Sequence, residues 1–197
     1  LEGLNTAGFI SGYRGSPVGG FDQQLWRAKK FLEQNHIRFQ PGLNEDLAAS
    51  AIWGSQQTNL HEGGKYDGVF AIWYGKGPGV DRCGDVFKHG NMSGPAKHGG
   101  VLLIAGDDHA AKSSTVPHQS EYAFMDASIP VLNPAGLQDI VDYGILGFAM
   151  SRFSGCWVAF KTTAENMDSS ASIDVSPDRV KISLPKFDMP EDGLSIR

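Results

Sequence analysis

The stretch Gly8–Asp22, GFISGYRGSPVGGFD, decides how the fold is read. An apolar run ends in a turn holding Gly12, Gly15, Gly19 and Gly20, and a helical pattern follows. Phe21, Leu25, Ala28 and Leu32 recur at helical spacing, which predicts a helix over Phe21–Asn35 after a strand over Thr6–Tyr13. Strand, tight turn and helix together make the first half of a β-α-β unit. Pro17 suits the first turn of that helix, and Ser16 is the expected cap.

The unit repeats along the chain. Short strands are predicted at Ile37–Gly42, Asp67–Gly75, Gly99–Asp108, Ser128–Pro134 and Gly155–Ala164, rich in β-branched and aromatic residues and bounded by Gly or Pro. Helices are predicted over Asn44–Leu60, with Asn44 as N-cap, over Asp81–Met92, and over Gly136–Phe153. The alternation implies an α/β fold of three layers, with a mostly parallel six-stranded sheet between helices. From Met167 the chain turns polar and proline-bearing, so 1–166 reads as one domain and 167–197 as a linker or arm, with one edge strand expected at RVKISL (179–184). The chain opens on Leu1 and is expected to be a piece of something longer.

Composition narrows the function. With 41% hydrophobic and 20% charged residues, the chain has an ordinary globular balance. A net charge of −5 with scattered basic residues argues against nucleic acid. No apolar run approaches the roughly 18 residues of a membrane helix. Two cysteines, Cys83 and Cys156, with no CxxC pair, exclude a disulfide framework and suit a reducing cytoplasm. No metal-ligand spacing links the six histidines, and His109 and His118, in a strand-end loop, rank second as candidate proton donors.

In a parallel sheet, ligands gather at the carboxyl ends of the strands, so the turns there carry the chemistry. Gly15–Gly20 fits GxxxxG, but Phe21 and Asp22 stand where a P-loop needs Lys and Ser or Thr. No GxGxxG fingerprint is present either. The turn is then either plain βα geometry or bare main chain left open to a flat ligand. Asp107 and Asp108, adjacent in sequence, make a poor metal pair and a good cap for the segment that follows.

Four strand-end segments occur in a fixed order: GYRGSP (12–17), NED (44–46), KGPGVD (76–81) and the long run GGVLLIAGDDHAAKSSTVPHQSEYAFMDASIPVLNP (99–134). Together they resemble the amino-terminal pyrimidine-binding domain of the 2-oxoacid:ferredoxin oxidoreductases, closest to the long fused indolepyruvate enzymes. The likeness covers about residues 6–165. It implies thiamine diphosphate, bound here by its pyrimidine half only, and oxidative decarboxylation of a 2-oxoacid to an acyl-CoA with electrons passed to ferredoxin. The diphosphate-binding domain or subunit, Mg²⁺ and [4Fe–4S] clusters would lie elsewhere, in a homo-oligomer. The fragment alone is expected to be inactive.

Residue by residue, the resemblance implies that Glu45 hydrogen-bonds the aminopyrimidine N1′ and is the catalytic acid. The plainer reading of Glu45 is a first-turn carboxylate favouring the helix dipole, which fits Asp46 better. Gly15, Ser16, Lys76 and Gly79 match cofactor-binding positions. Arg14, Ser16, Lys112 and Ser113 match positions facing the substrate. Arg14 stands where the family has proline, Gly77 where it often has His, Lys112 where it often has His, and Glu121 where it has Arg. Arg14 could clamp a carboxylate or point to solvent, and Lys76 could meet the substrate, Glu45 or water. A docking face is expected around Trp53 and Tyr74. The alternative is a non-catalytic α/β module that binds a small anion or a partner subunit.

Overall fold

The structure, a computed structural model, describes residues 3–186, 188 and 191. In chain order the strands are β1 (Thr6–Gly12), β2 (Ile37–Phe39), β3 (Gly68–Lys76), β4 (Val101–Asp107), β5 (Val131–Leu132) and β6 (Val158–Thr163). They form one sheet in the order β2-β1-β3-β4-β6-β5, and every pairing is parallel. The three-layer α/β reading therefore holds.

The central strands are apolar on both faces because helices cover both. One face packs α3 (Glu45–Ser55), α4 (Gly77–Arg82), α5 (Gly84–Ser93) and α6 (Glu121–Asp126) around Trp73, Phe87, Leu103, Phe124 and Trp157. Trp73 and Trp157 are wholly buried there, and truncating a side chain so placed costs about 3–5 kcal/mol. The other face packs α1 (Gly19–Arg27) and α2 (Lys29–Gln34) over Ile10, Val18, Leu25 and Tyr74. The long α7 (Leu137–Ser154) crosses β4 and β6 on that same face, where bare Gly147 lets Leu102 and Leu132 come close. Helix α8 (Ala164–Met167) ends the regular structure among the described residues.

Several boundaries differ from expectation. The helix expected over Phe21–Asn35 is two helices, with a turn at Ala28 that brings Leu32 back onto the core. The helix expected at Asp81 starts earlier, at Gly77, because Pro78 needs no N–H in a first helical turn, and it breaks again at Cys83. Ser16 does not cap α1. That helix begins at Gly19, while Pro17 and Val18 turn inward against bare Gly106 of β4. The strand expected at 179–184 is absent. That segment lies against α7 instead, with Arg179 paired to Asp142, and upstream Gln138 and the Asp174 main chain exchange two hydrogen bonds.

Candidate functional site at the strand ends

Glu45 owes its place to three contacts that do not use its side-chain carboxylate. Main-chain pairing carries on past β2, with Gln40 N–H donating to Ile10 and Gly42 N–H to Gly12, at 2.9 Å each. That brings the chain to Asn44, whose side chain accepts from the Leu47 N–H at 2.8 Å and caps α3 as expected. The Trp73 indole then donates to the Glu45 carbonyl at 3.0 Å, tying the helix start to β3. The Glu45 side chain lies against bare Gly79 in α4, and a Cβ there would come within 2.9 Å of Oε1. No hydrogen bond or ion pair reaches the Glu45 carboxylate among the described residues. Leu43 and Leu47, two residues to either side, are 86% and 50% exposed.

Lys76, the residue before α4, brings Gly15 and Ser113 together. Its stem passes Gly15, where a Cβ would sit 3.2 Å from Lys76 Cβ. Its ammonium donates to the Ser113 carbonyl at 2.5 Å. Among the described residues it makes no ion pair with Glu45. The glycine turn is thus more occupied than an open cradle would be: Tyr74 fills the space over Gly12, and Lys76 that over Gly15. Of the four glycines of this turn, Gly20 alone has nothing within 4 Å of a Cβ. Ser16 is exposed.

Three of the residues matched to the substrate, Arg14, Lys112 and Ser113, are engaged elsewhere. Arg14 binds the buried carboxylate of Asp22 through Nε (2.9 Å) and Nη2 (2.8 Å), and the Tyr74 hydroxyl donates to the other oxygen at 2.6 Å. Burial and that carboxylate push the Tyr74 phenol far up. Tyr74 is therefore core and offers no docking face; Trp53 is half-buried and stacks on His89. Lys112 is exposed and stands 3.9 Å from Glu165. Ser113 donates its N–H and hydroxyl to Asp108, which also takes the Lys112 N–H; these donors hold the Asp108 carboxyl below its usual range. The capping role read for Asp108 is borne out.

A second polar cluster joins Asp107, His118 and Glu121, which the sequence offers only separately. Asp107, wholly buried at the end of β4, accepts from Ser120 N–H (2.8 Å), Ser120 hydroxyl (2.5 Å) and His118 Nδ1 (3.3 Å). Lys161 of β6 stands 4.0 Å away and is bonded to Glu121. The signal for Lys161 in the sequence is its place inside the apolar run WVAFKTT. Next to Asp22 it had only a helix's first turn to show.

No protein-family model matches the chain, and no curated protein matches it in sequence. Among solved structures, one from Mycobacterium smegmatis described as a thiamin diphosphate-dependent enzyme is similar, with a TM-score of 0.60 and 14% identity. The two share a fold. The match covers 89% of this chain and 31% of the other, so the present chain corresponds to under a third of that protein.

Proposed function

We propose that the chain supplies the pyrimidine-binding half of a thiamine diphosphate site in an enzyme of the 2-oxoacid:ferredoxin oxidoreductase type, of indolepyruvate preference. One observation carries this reading: the carboxylate of Glu45 stands at the carboxyl end of the sheet with no hydrogen-bond or ion-pair partner among the described residues, between exposed leucines. A carboxylate so placed fits a heterocycle that presents one ring nitrogen and an apolar face. The shared fold with a thiamin diphosphate-dependent enzyme and the ordered strand-end segments add support.

When bound, the cofactor supplies a carbon nucleophile for the keto group and a sink for the electrons left when CO₂ departs. Glu45 hydrogen-bonds the aminopyrimidine N1′ and holds or yields a proton at that atom. Gly79 leaves room for the Glu45 side chain to take its place. Gly15 lets the Lys76 stem cross the turn, and Lys76 fixes the Ser113 carbonyl. Arg14 has one edge committed to Asp22, Lys112 leans to Glu165 and the Ser113 hydroxyl donates to Asp108, so Ser16 is the hydroxyl assigned to the substrate's oxygens. The partner is a diphosphate-binding domain or subunit that brings Mg²⁺, with iron–sulfur clusters, ferredoxin and coenzyme A beyond it. Leu43, Leu47 and Tyr13 form the apolar rim that this partner covers.

The test is Glu45→Ala in the intact enzyme, followed as 2-oxoacid-dependent reduction of ferredoxin. Turnover should fall by about 10²- to 10⁴-fold, the usual weight of a positioned acid–base group. Circular dichroism should be unchanged. Turnover near the wild-type rate would overturn the assignment.

A further inference from the structure

The loop from Asp108 to Ser120 crosses the carboxyl ends of β3 and β4, and one side chain ties it down at two points. His118 places Nε2 2.7 Å from Asp81 of α4 and Nδ1 3.3 Å from Asp107 of β4. A neutral imidazole has one N–H and one lone pair. With a carboxylate at each nitrogen, one of them would face lone pair to lone pair; only the imidazolium satisfies both. The ring lies on bare Gly77, where a Cβ would overlap it, and its side chain is 12% exposed.

We propose that His118 is a charged latch, joining Asp81 and Asp107 to hold the 108–120 loop over the strand ends, and that loss of its proton frees the loop. The loop's other tie to the β3–α4 junction is the Lys76 contact to the Ser113 carbonyl. Releasing the latch therefore loosens the wall that Ser113 and Lys76 make beside Gly15. This inference stands on the geometry of this chain and goes beyond the cofactor reading.

The charged neighbours set the direction. Facing the ring are Asp81 and Asp107; behind Asp107 stand Lys161 and, bonded to it, Glu121. His109 of the same loop donates from Nδ1 to the His118 carbonyl at 2.9 Å and adds no carboxylate. Three acids against one lysine leave the cluster at −2 with a neutral imidazole and −1 with an imidazolium. Burial by itself lowers the His118 pKa, but the hydrogen bonds to Asp81 and Asp107 and their charges outweigh it, so the net shift is upward. A raised pKa in the closed loop means the latch is fully present below the ordinary value of about 6.5 and is lost as pH rises through the raised value.

Amide hydrogen exchange on the full chain across that range tests the latch, together with ring-nitrogen NMR of His118. Both ring nitrogens should carry protons at pH 6.5. Protection of amides 109–118, corrected for the intrinsic rise of exchange with pH, should fall about tenfold for each pKa unit between closed and open loop. β4 should not change. His118→Gln should give low protection at every pH. Asp81→Asn, on an exposed position that leaves the core alone, should move the midpoint down toward 6.5. A His118 that titrates at or below 6.5, or loop protection independent of pH in the unmodified chain, would overturn the latch; neither outcome bears on Glu45.

Discussion

Glu45 and Asp107 are both acids at the carboxyl end of one parallel sheet, and the chain treats them in opposite ways. Asp107 is wholly buried and meets Ser120 twice, His118 once and the Lys161 ammonium at 4.0 Å. Glu45 is half-buried, and among the described residues its carboxylate meets no donor. A buried carboxylate without donors would be costly, so Asp107 has to be surrounded. A half-open carboxylate can wait for a donor that arrives with a ligand. The difference separates an acid that holds the fold together from one that the described fold leaves without a donor.

The largest expected effect lies on the Asp107 side. Asp107→Asn keeps the volume but removes the charge that balances His118 and Lys161. Breaking a buried charged pair from one side costs about 3–5 kcal/mol, because the remaining charge is left uncompensated. Urea unfolding should show a lower midpoint at an unchanged slope. A loss under about 1 kcal/mol would mean that water or Glu121 replaces the carboxylate, and the contrast with Glu45 would fail.

The fold was legible because the strands are short apolar runs rich in β-branched and aromatic residues, with helical patterns between them. What could not be read were contacts between distant parts of the chain. GYRGSP reveals its glycines but not that Tyr74 and Lys76, sixty residues on, fill the space above them. Arg14 shows a guanidinium but not the buried Asp22 that takes it. RVKISL alternates as a strand should, yet the sheet edge ends in the two-residue β5, and the segment settles on α7. Glu45 was legible as a candidate through the resemblance, whose glutamate follows the second strand; its place alone reads as a first-turn helix acid. That no donor among the described residues reaches it became visible only with the fold.

A middle-sized effect belongs to the contact between the two halves of the proposed site. Gly79→Ala puts a methyl group where the Glu45 side chain lies. The helix gains up to about 1 kcal/mol from losing a glycine, and the displaced side chain is flexible, so stability should change by no more than about 1 kcal/mol in either direction. The carboxyl group must swing away. Activity of the intact enzyme should therefore fall far more than stability does. A fully active, stable Gly79→Ala enzyme would show that the position of Glu45 does not matter.

The smallest effect on the fold is expected at Glu45 itself. The start of α3 is secured by the Asn44 cap and by the Trp73 indole on the Glu45 carbonyl, and neither uses the carboxylate. What Glu45→Gln removes is one charge near a helix N-terminus, worth about 0.3–1 kcal/mol at an exposed site and screened by salt. Asp46 beside it keeps the dipole's negative partner. Thermal or urea unfolding should thus place the variant within about 0.5 kcal/mol of the parent chain, the range of surface substitutions away from special features. A loss of 2 kcal/mol would make this carboxylate a structural group like Asp107. It would then have donors to lose, and the case for a proton held ready for a ligand would go with them.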